Sequence, residues 1–432
     1  MTAQLRADPR PARPAAEQAL LDLVASQAEA EGRIGELRHA AAAAFAEGGL
    51  PSRRVEEWHY TDLRALLRTV PPLPAASAGP DEPSAFPDAV RLTLTDGVPG
   101  ALPQDLPAGV SLVSLADAIA GGHPLLERLG AQVPVSYDAA LALNTALLGA
   151  GAVLHVAAGV KPGRPLHIAQ VATQPASIFT RLLVVVEEGA DLSLIESFEG
   201  VEGAAALDNA VLEMFVADGA AVDHVRLQAE ASEATHLGTV LASLGRSARY
   251  DAFVLTLGAA LSRLTVYGRF TGRDSHLGVR GASLLAGRRH ADVTLFVDHA
   301  VAGCESRELF KTVLADASHG VFQGRIIVRP DAQKTDGRMM SQALLLSDDA
   351  EMSNKPELEI FADDVQCGHG ATVGALDDRM LFYLMSRGLP RAEAEILLIQ
   401  AFAAEAVEFV ADPQVREALV ARMVAWLEAR AG

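Results

Sequence analysis

The residues best suited to chemistry lie close together near the end of the chain. Cys367 and His369 are separated by one glycine, and Gly368 and Gly370 flank the imidazole. In an extended segment, residues i and i+2 point to the same side, so a thiol and an imidazole would share one face. The glycines would let another surface approach closely. Glu359, Asp363 and Asp364 add carboxylate oxygens nearby. Sulfur beside an imidazole nitrogen is a donor pair for a thiophilic metal or a sulfur species. The imidazole could also raise the thiolate fraction of Cys367. A plainer reading competes, with Cys367 a small core hydrophobe and His369 a hydrogen-bonded turn residue.

A second patch, Gly303 to His319, holds Cys304, Glu305, Ser306, Arg307, Lys311 and His319, with His276, His290 and His299 upstream. Ordinary structural histidines are again the plainer alternative. Cys304 and Cys367 are the only two cysteines of 432 residues. An iron–sulfur cluster is usually held by about four thiolates, and structural zinc by about four Cys or His ligands. The chain therefore cannot complete an all-cysteine cluster. Any cluster it touches must also draw on histidine, carboxylate, exogenous sulfide or another subunit. So few thiols argue against a disulfide scaffold and point to the cytoplasm. The sequence has no G-x-x-x-x-G-K-[ST] loop, no H-E-x-x-H helix and no G-x-S-x-G elbow. If ATP hydrolysis is needed, another chain must supply it.

Composition narrows the classes further. The formal net charge of -19 opposes a broad nucleic-acid surface, and it repels anionic membranes. No window offers the roughly 20 apolar residues that span a bilayer. The Arg-, Pro- and Ala-rich start, Met1 to Gln18, lacks the apolar stretch of a secretory signal. Half the residues are hydrophobic but only 5% are aromatic. The core must then be built from Ala, Val, Leu and Ile, which suit stacked layers.

The elements that must position these residues fall into three regions: 1–150, 151–374 and 375–432. The first reads as helical from about Ala15 to Leu67, then as a Pro-rich linker from Val70 to Pro107 with one strand near Val90–Leu94. Helical patches follow near Leu112–Ile119 and Asp138–Leu148. The second region carries short apolar runs punctuated by Gly, Asp and Ser. Gly159, Gly189, Gly219 and Gly258 each follow such a run, the first three about 30 residues apart. Units this small cannot bury their own apolar face, so stacking into a β-solenoid is expected, with the four glycines at comparable turns. A sandwich with regular hairpins is the alternative. The third region is helical, and its helix Pro390–Val410 is apolar around much of its circumference. Some of that surface, Ile396 and Phe402 included, must meet the solenoid or a partner.

Three segments carry a family resemblance: Gly49–Leu63 (GLPSRRVEEWHYTDL); Ser306–Lys311 (SRELFK) with Gly320–Gly324 (GVFQG) and Lys334–Asp336 (KTD); and Lys355–Gly374 (KPELEIFADDVQCGHGATVG) running into Phe382–Gly388 (FYLMSRG). Read together, they resemble the SufB/SufD family of iron–sulfur cluster assembly scaffolds, its D-type members most closely. The resemblance implies a mainly β protein with helical ends: a helical N-terminal region, a right-handed parallel β-helix core and a C-terminal helical domain. It also implies a scaffold subunit, not an enzyme, paired with a SufB-like subunit and docking a SufC-like ABC ATPase. His369, with Cys367 as companion, would serve a transient cluster or iron site shared with the partner. Cys304 and Glu359 would be accessories, and Ile396 and Phe402 would face the ATPase. Reduced flavin is implied for the complex, with no tightly bound cofactor in the isolated chain, which could form a homodimer. Two other classes remain open, a cytosolic β-solenoid enzyme and a zinc-dependent protein using Cys367 and nearby histidines.

Overall fold

The computed structural model describes residues 13–27, 30–75 and 84–431. The stretch before residue 13, read above as unlike a secretory signal, and part of the Pro-rich linker lie outside the described residues.

The centre of the molecule is a parallel β-solenoid of two sheets. From Ala150–Val156 onward consecutive strands alternate between them, so each pairs with the one two positions away in sequence. One sheet, here sheet A, ends in Asp336–Leu345 and Gln366–Gly374; the other, sheet B, ends in His319–Val328 and Glu351–Ile360. A hairpin sandwich is thereby excluded, because neighbouring solenoid strands are parallel and in register.

The apolar runs become strands because parallel sheets are covered on both faces and need near-continuous hydrophobic sequence. In Ser177–Val186 every residue is buried. Leu182, Val184 and Val186 point into the solenoid, while Leu183 and Val185 pack against Ile34, Leu115 and Leu126 outside. The N-terminal helices Ala15–Ala25, Gly32–Gly48 and Ala139–Ala146 cover sheet B. The C-terminal helices Arg391–Val407 and Pro413–Ala431 cover sheet A, where Ile399, Ala403 and Leu419 meet Val225, Phe253 and Leu284.

The coils repeat through one turn, the exit from each sheet B strand. Gly159, Gly189 and Gly219 occupy it with φ of 69°, 65° and 66°. Each donates its N–H one coil onward, to Glu188, Asp218 and Arg246. Gly258 does not continue this ladder. It follows a sheet A strand, and the fourth left-handed position is Ser247, then Asp274, Gly303 and Lys334. The ladder also persists where glycine is absent, held by the same inter-coil bonds.

The first solenoid strand lies within the Pro-rich stretch. Val90–Thr95 heads the parallel pairing of sheet A, and Val98–Pro99 closes it antiparallel. The patch read as helical from Leu112 opens instead as the strand Val110–Ser114, antiparallel to Ala150–Val156. It turns helical only at Leu115, where Ser114 accepts a hydrogen bond from the N–H of Asp117. Serine at that boundary caps a helix and stops the strand.

Candidate functional site

Cys367 and His369 lie on the last strand of sheet A, Gln366–Gly374, which pairs on one side only, with Asp336–Leu345. Cys367 sits opposite Gly337 and His369 opposite Met339. Met339 belongs to the solenoid interior, so the thiol and imidazole share the inward side, while Gly368 and Gly370 fall on the outer one. A Cβ added at Gly368 would meet nothing within 4 Å, so the outer side is open there. Cys367 is half-buried against the end of the core. His369 is exposed, and among the described residues nothing hydrogen-bonds its ring.

The inward position one strand beyond Met339 is Glu308. Its side chain is buried, and neither carboxylate oxygen makes a hydrogen bond of ordinary geometry. Burial pushes its pKa up to about 8, against the opposing pull of Ser306, Arg307 and Arg280. Burial also pushes the Cys367 thiol up, helped by Asp336 and Glu308 and opposed by the backbone of Gly337. This differs from the sequence expectation of an imidazole-activated thiolate. Burial favours the thiol over the thiolate there.

The other candidates are dispersed. Glu359 points outward from sheet B and pairs with Arg325 at 3.4 Å. Cys304 is fully buried in the solenoid core, its Sγ 3.5 Å from the Gly272 carbonyl, and burial raises its pKa. It packs as a small hydrophobe, away from the Cys367 strand edge. The histidines of the second patch also separate. His276 meets Asp251, His299 bonds Ser306 inside the solenoid, and His290 meets Thr61 and lies edge-on to His319.

Ile396 and Phe402 are partly buried and pack on the solenoid cluster; the Lys311 ammonium stands 4.6 Å from the Phe402 ring. The densest exposed apolar surface of the C-terminal region lies on helix Asp378–Ser386, with Leu397, Phe409 and Val420 exposed beyond it. Met380, Phe382, Tyr383 and Met385 are exposed on that helix, Phe382 to 74%.

A cavity of about 880 Å³ adjoins the site, and its walls include Arg280, Arg307, Arg338, Met340, Cys367 and His369. The arginines are engaged: Arg280 with Asp251 at 3.1 Å, Arg307 and Arg338 with Asp336 at 2.6 and 3.2 Å.

The family model described as the SufBD core domain of SUF-system FeS cluster assembly matches residues 168–402. The iron–sulfur cluster assembly protein SufD of Escherichia coli is 32% identical over 389 residues, covering 87% of this chain and 89% of its own length. The chain belongs to the SufBD family. A SufBD family protein of Synechocystis is 30% identical, with 83% of each chain covered. SufD of Bacillus subtilis is 28% identical over 85% of this chain and 87% of its own.

The N-terminal segment of the resemblance is a clamp on the SufBD solenoid. Trp58 is buried, donates to Asp138 at 3.0 Å, and lies under the Arg263 guanidinium at 3.9 Å. Arg263 and Thr61 both bond Asp292. The residues of this SufBD chain that sequence reasoning missed are inward-facing: Glu308, and a buried polar group built around Asp208, Glu230 and His236. No local motif marks them. Their signal is a charged residue at an alternate strand position that should be apolar. No helix among the described residues is long and apolar enough to cross a membrane.

Proposed function

We propose that this chain is a cytoplasmic scaffold subunit that supplies His369 and Cys367 to an iron–sulfur site shared with a SufB-like subunit. The observation that carries the reading is the position of the pair. They lie on one face of the terminal strand of an uncapped solenoid, where strand addition by a second chain would cover them. Unpaired N–H and C=O groups on such an edge are a template for another strand. A soft thiol and a neutral imidazole offer two of the donors a nascent cluster needs, and the partner supplies the rest. An exposed imidazole without a competing hydrogen bond is free to ligate and to release. The iron and sulfide are cargo, and the chain is a scaffold rather than a catalyst. A SufC-like ATPase docks on the apolar face of helix Asp378–Ser386, with Ile396 and Phe402 holding the C-terminal helices against sheet A behind it. The reduced flavin implied for the complex is assigned no residue of this chain.

The test is His369→Ala in the complex reconstituted with its partners. Melting temperature and co-elution should stay at wild-type values, while iron and sulfide retained after reconstitution should fall steeply. Normal iron and sulfide content in a folded, partner-bound His369→Ala sample would overturn the assignment. So would a loss of folding of the kind that a packed, hydrogen-bonded histidine produces on removal.

A further inference from the structure

Deep inside the solenoid, three successive strands place unlike charges where a core should be apolar. Asp208 and His236 open the sheet B strands Leu207–Val216 and Thr235–Leu244, directly across from the end of the sheet A strand Ala221–Ala229. Glu230 follows that strand. Asp208, Glu230 and His236 are all buried, and each offers one ligand atom within 4.8 Å of the others.

The hydrogen bonds define the state of the imidazole. Its Nδ1–H donates to Glu230 Oε1 at 2.5 Å, and its Nε2 accepts from Arg226 Nη2 at 3.2 Å. The ring is therefore neutral. Arg226 has a second partner, Glu196 Oε2 at 3.0 Å, which His224 shares at 3.0 Å. Gln228 donates to the other oxygen of Glu230. Asp208 is left over. It is 3% exposed, and its Oδ1 has no hydrogen-bond partner. Three buried carboxylates, Glu196, Asp208 and Glu230, thus gather around a single guanidinium.

An uncompensated buried carboxylate must take up a proton or a cation. The site is also tightly packed. A Cβ at Gly238, the next inward position after His236, would come within 2.8 Å of Arg226 Nη2 and 3.0 Å of His236 Nε2. Glycine there admits the guanidinium and the imidazole close against the strand.

We propose that Asp208, Glu230 and His236 form a binding site for one first-row divalent cation inside the solenoid. One imidazole nitrogen and two carboxylate oxygens suit Zn²⁺, Mn²⁺, Fe²⁺ or Co²⁺ better than a thiophilic ion or a large hard cation. On binding, His236 turns its lone pair to the ion, Arg226 keeps Glu196, and Asp208 gains the partner it lacks. The site is separate from Cys367 and His369 and does not depend on their role.

The test uses the full chain produced in Co²⁺-supplemented medium, then desalted and examined by visible absorption and metal analysis. We expect one cobalt per chain, with d–d bands and no thiolate-to-cobalt charge-transfer band. The same spectrum and stoichiometry should survive in the Cys367→Ser, His369→Ala double variant. Asp208→Asn should abolish retention, and His236→Gln should do the same. Asparagine removes a buried charge without changing shape, so the Asp208→Asn protein should fold and should lose the rise in melting temperature that cobalt gives the wild type. Absence of retained cobalt in wild type would overturn the proposal, as would retention in folded Asp208→Asn or a thiolate charge-transfer band. Failure of the His369 assignment would show in cluster yield and would leave these readings unchanged.

Discussion

The two ends of the solenoid solve the same problem differently. Where the coils begin, Val98–Pro99 and Val110–Ser114 turn antiparallel against the first parallel strands, and the interior is mainly apolar, with Val90, Leu92, Leu94, Leu112 and Leu154 buried and the polar pair Gln170 and Thr180 bonded to each other. Where they finish, Glu351–Ile360 and Gln366–Gly374 stop with one side of each strand unpaired. Most of their residues are exposed or half-buried, and the inward positions nearby include Glu308, Cys367 and His369. Pro356 sits in the last strand of sheet B, where only an edge strand tolerates a missing N–H. The closed end is built for the chain itself. The open end leaves parallel strand edges unpaired, and Cys367, His369 and Glu308 gather there.

This contrast can be broken most forcefully at the closed end. Leu92→Ala removes a side chain that is fully buried in the first coil and should destabilise the protein by about 2–5 kcal/mol, read from denaturant unfolding. A loss as small as that of an edge substitution would mean the first coil is no cap.

A second experiment concerns the buried carboxyl behind the open end. The folded-state pKa of Glu308 is raised to about 8, so the native protein binds a proton that the unfolded chain releases near the ordinary carboxylate value. Stability should therefore fall as pH rises from about 4.5 through about 8, by on the order of a few kcal/mol. Glu308→Gln should flatten that part of the melting-temperature profile and stabilise the alkaline form. An unchanged slope in the variant would show that Glu308 is already ionised or compensated.

The smallest effect on folding should come from the edge itself. Val373 is 49% exposed on the terminal strand. Val373→Lys should change stability by no more than about 0.5 kcal/mol, yet it should suppress self-association of the isolated chain and pairing with a SufB-like subunit, because an edge lysine blocks strand addition. Undiminished pairing by light scattering and co-elution would remove the open edge from the interface.

Much of this design was legible in the residues. Apolar runs punctuated by glycine announce stacked coils, and the period of two puts Cys367 and His369 on one face. The limits are equally physical. Gly258 resembles its predecessors, but the turn it was matched to uses Ser247, because inter-coil hydrogen bonds can hold a non-glycine residue in the left-handed region. Glu359 is close to Cys367 in sequence, yet the chain crosses to the other sheet between them. Ile396 and Phe402 are apolar enough for a partner, but only packing decides that they face the solenoid and that Phe382 does not. Asp208, Glu230 and His236 come from separate segments and meet only once coils stack.

The ladder of left-handed turns has a consequence for how such a molecule changes length. Each coil adds one rung to both sheets, roughly 4.8 Å of height, and repeats the same turn whether glycine, serine, aspartate or lysine occupies it. Removing a whole coil of about 30 residues would lower everything beyond it by one rung and leave each side chain facing as before. Removing a single residue within a strand would turn every later inward residue of that strand outward. Across relatives, insertions and deletions in this region should therefore come in whole coils or fall in the turns. The height between the buried Asp208 group and the open end should vary in steps of one rung.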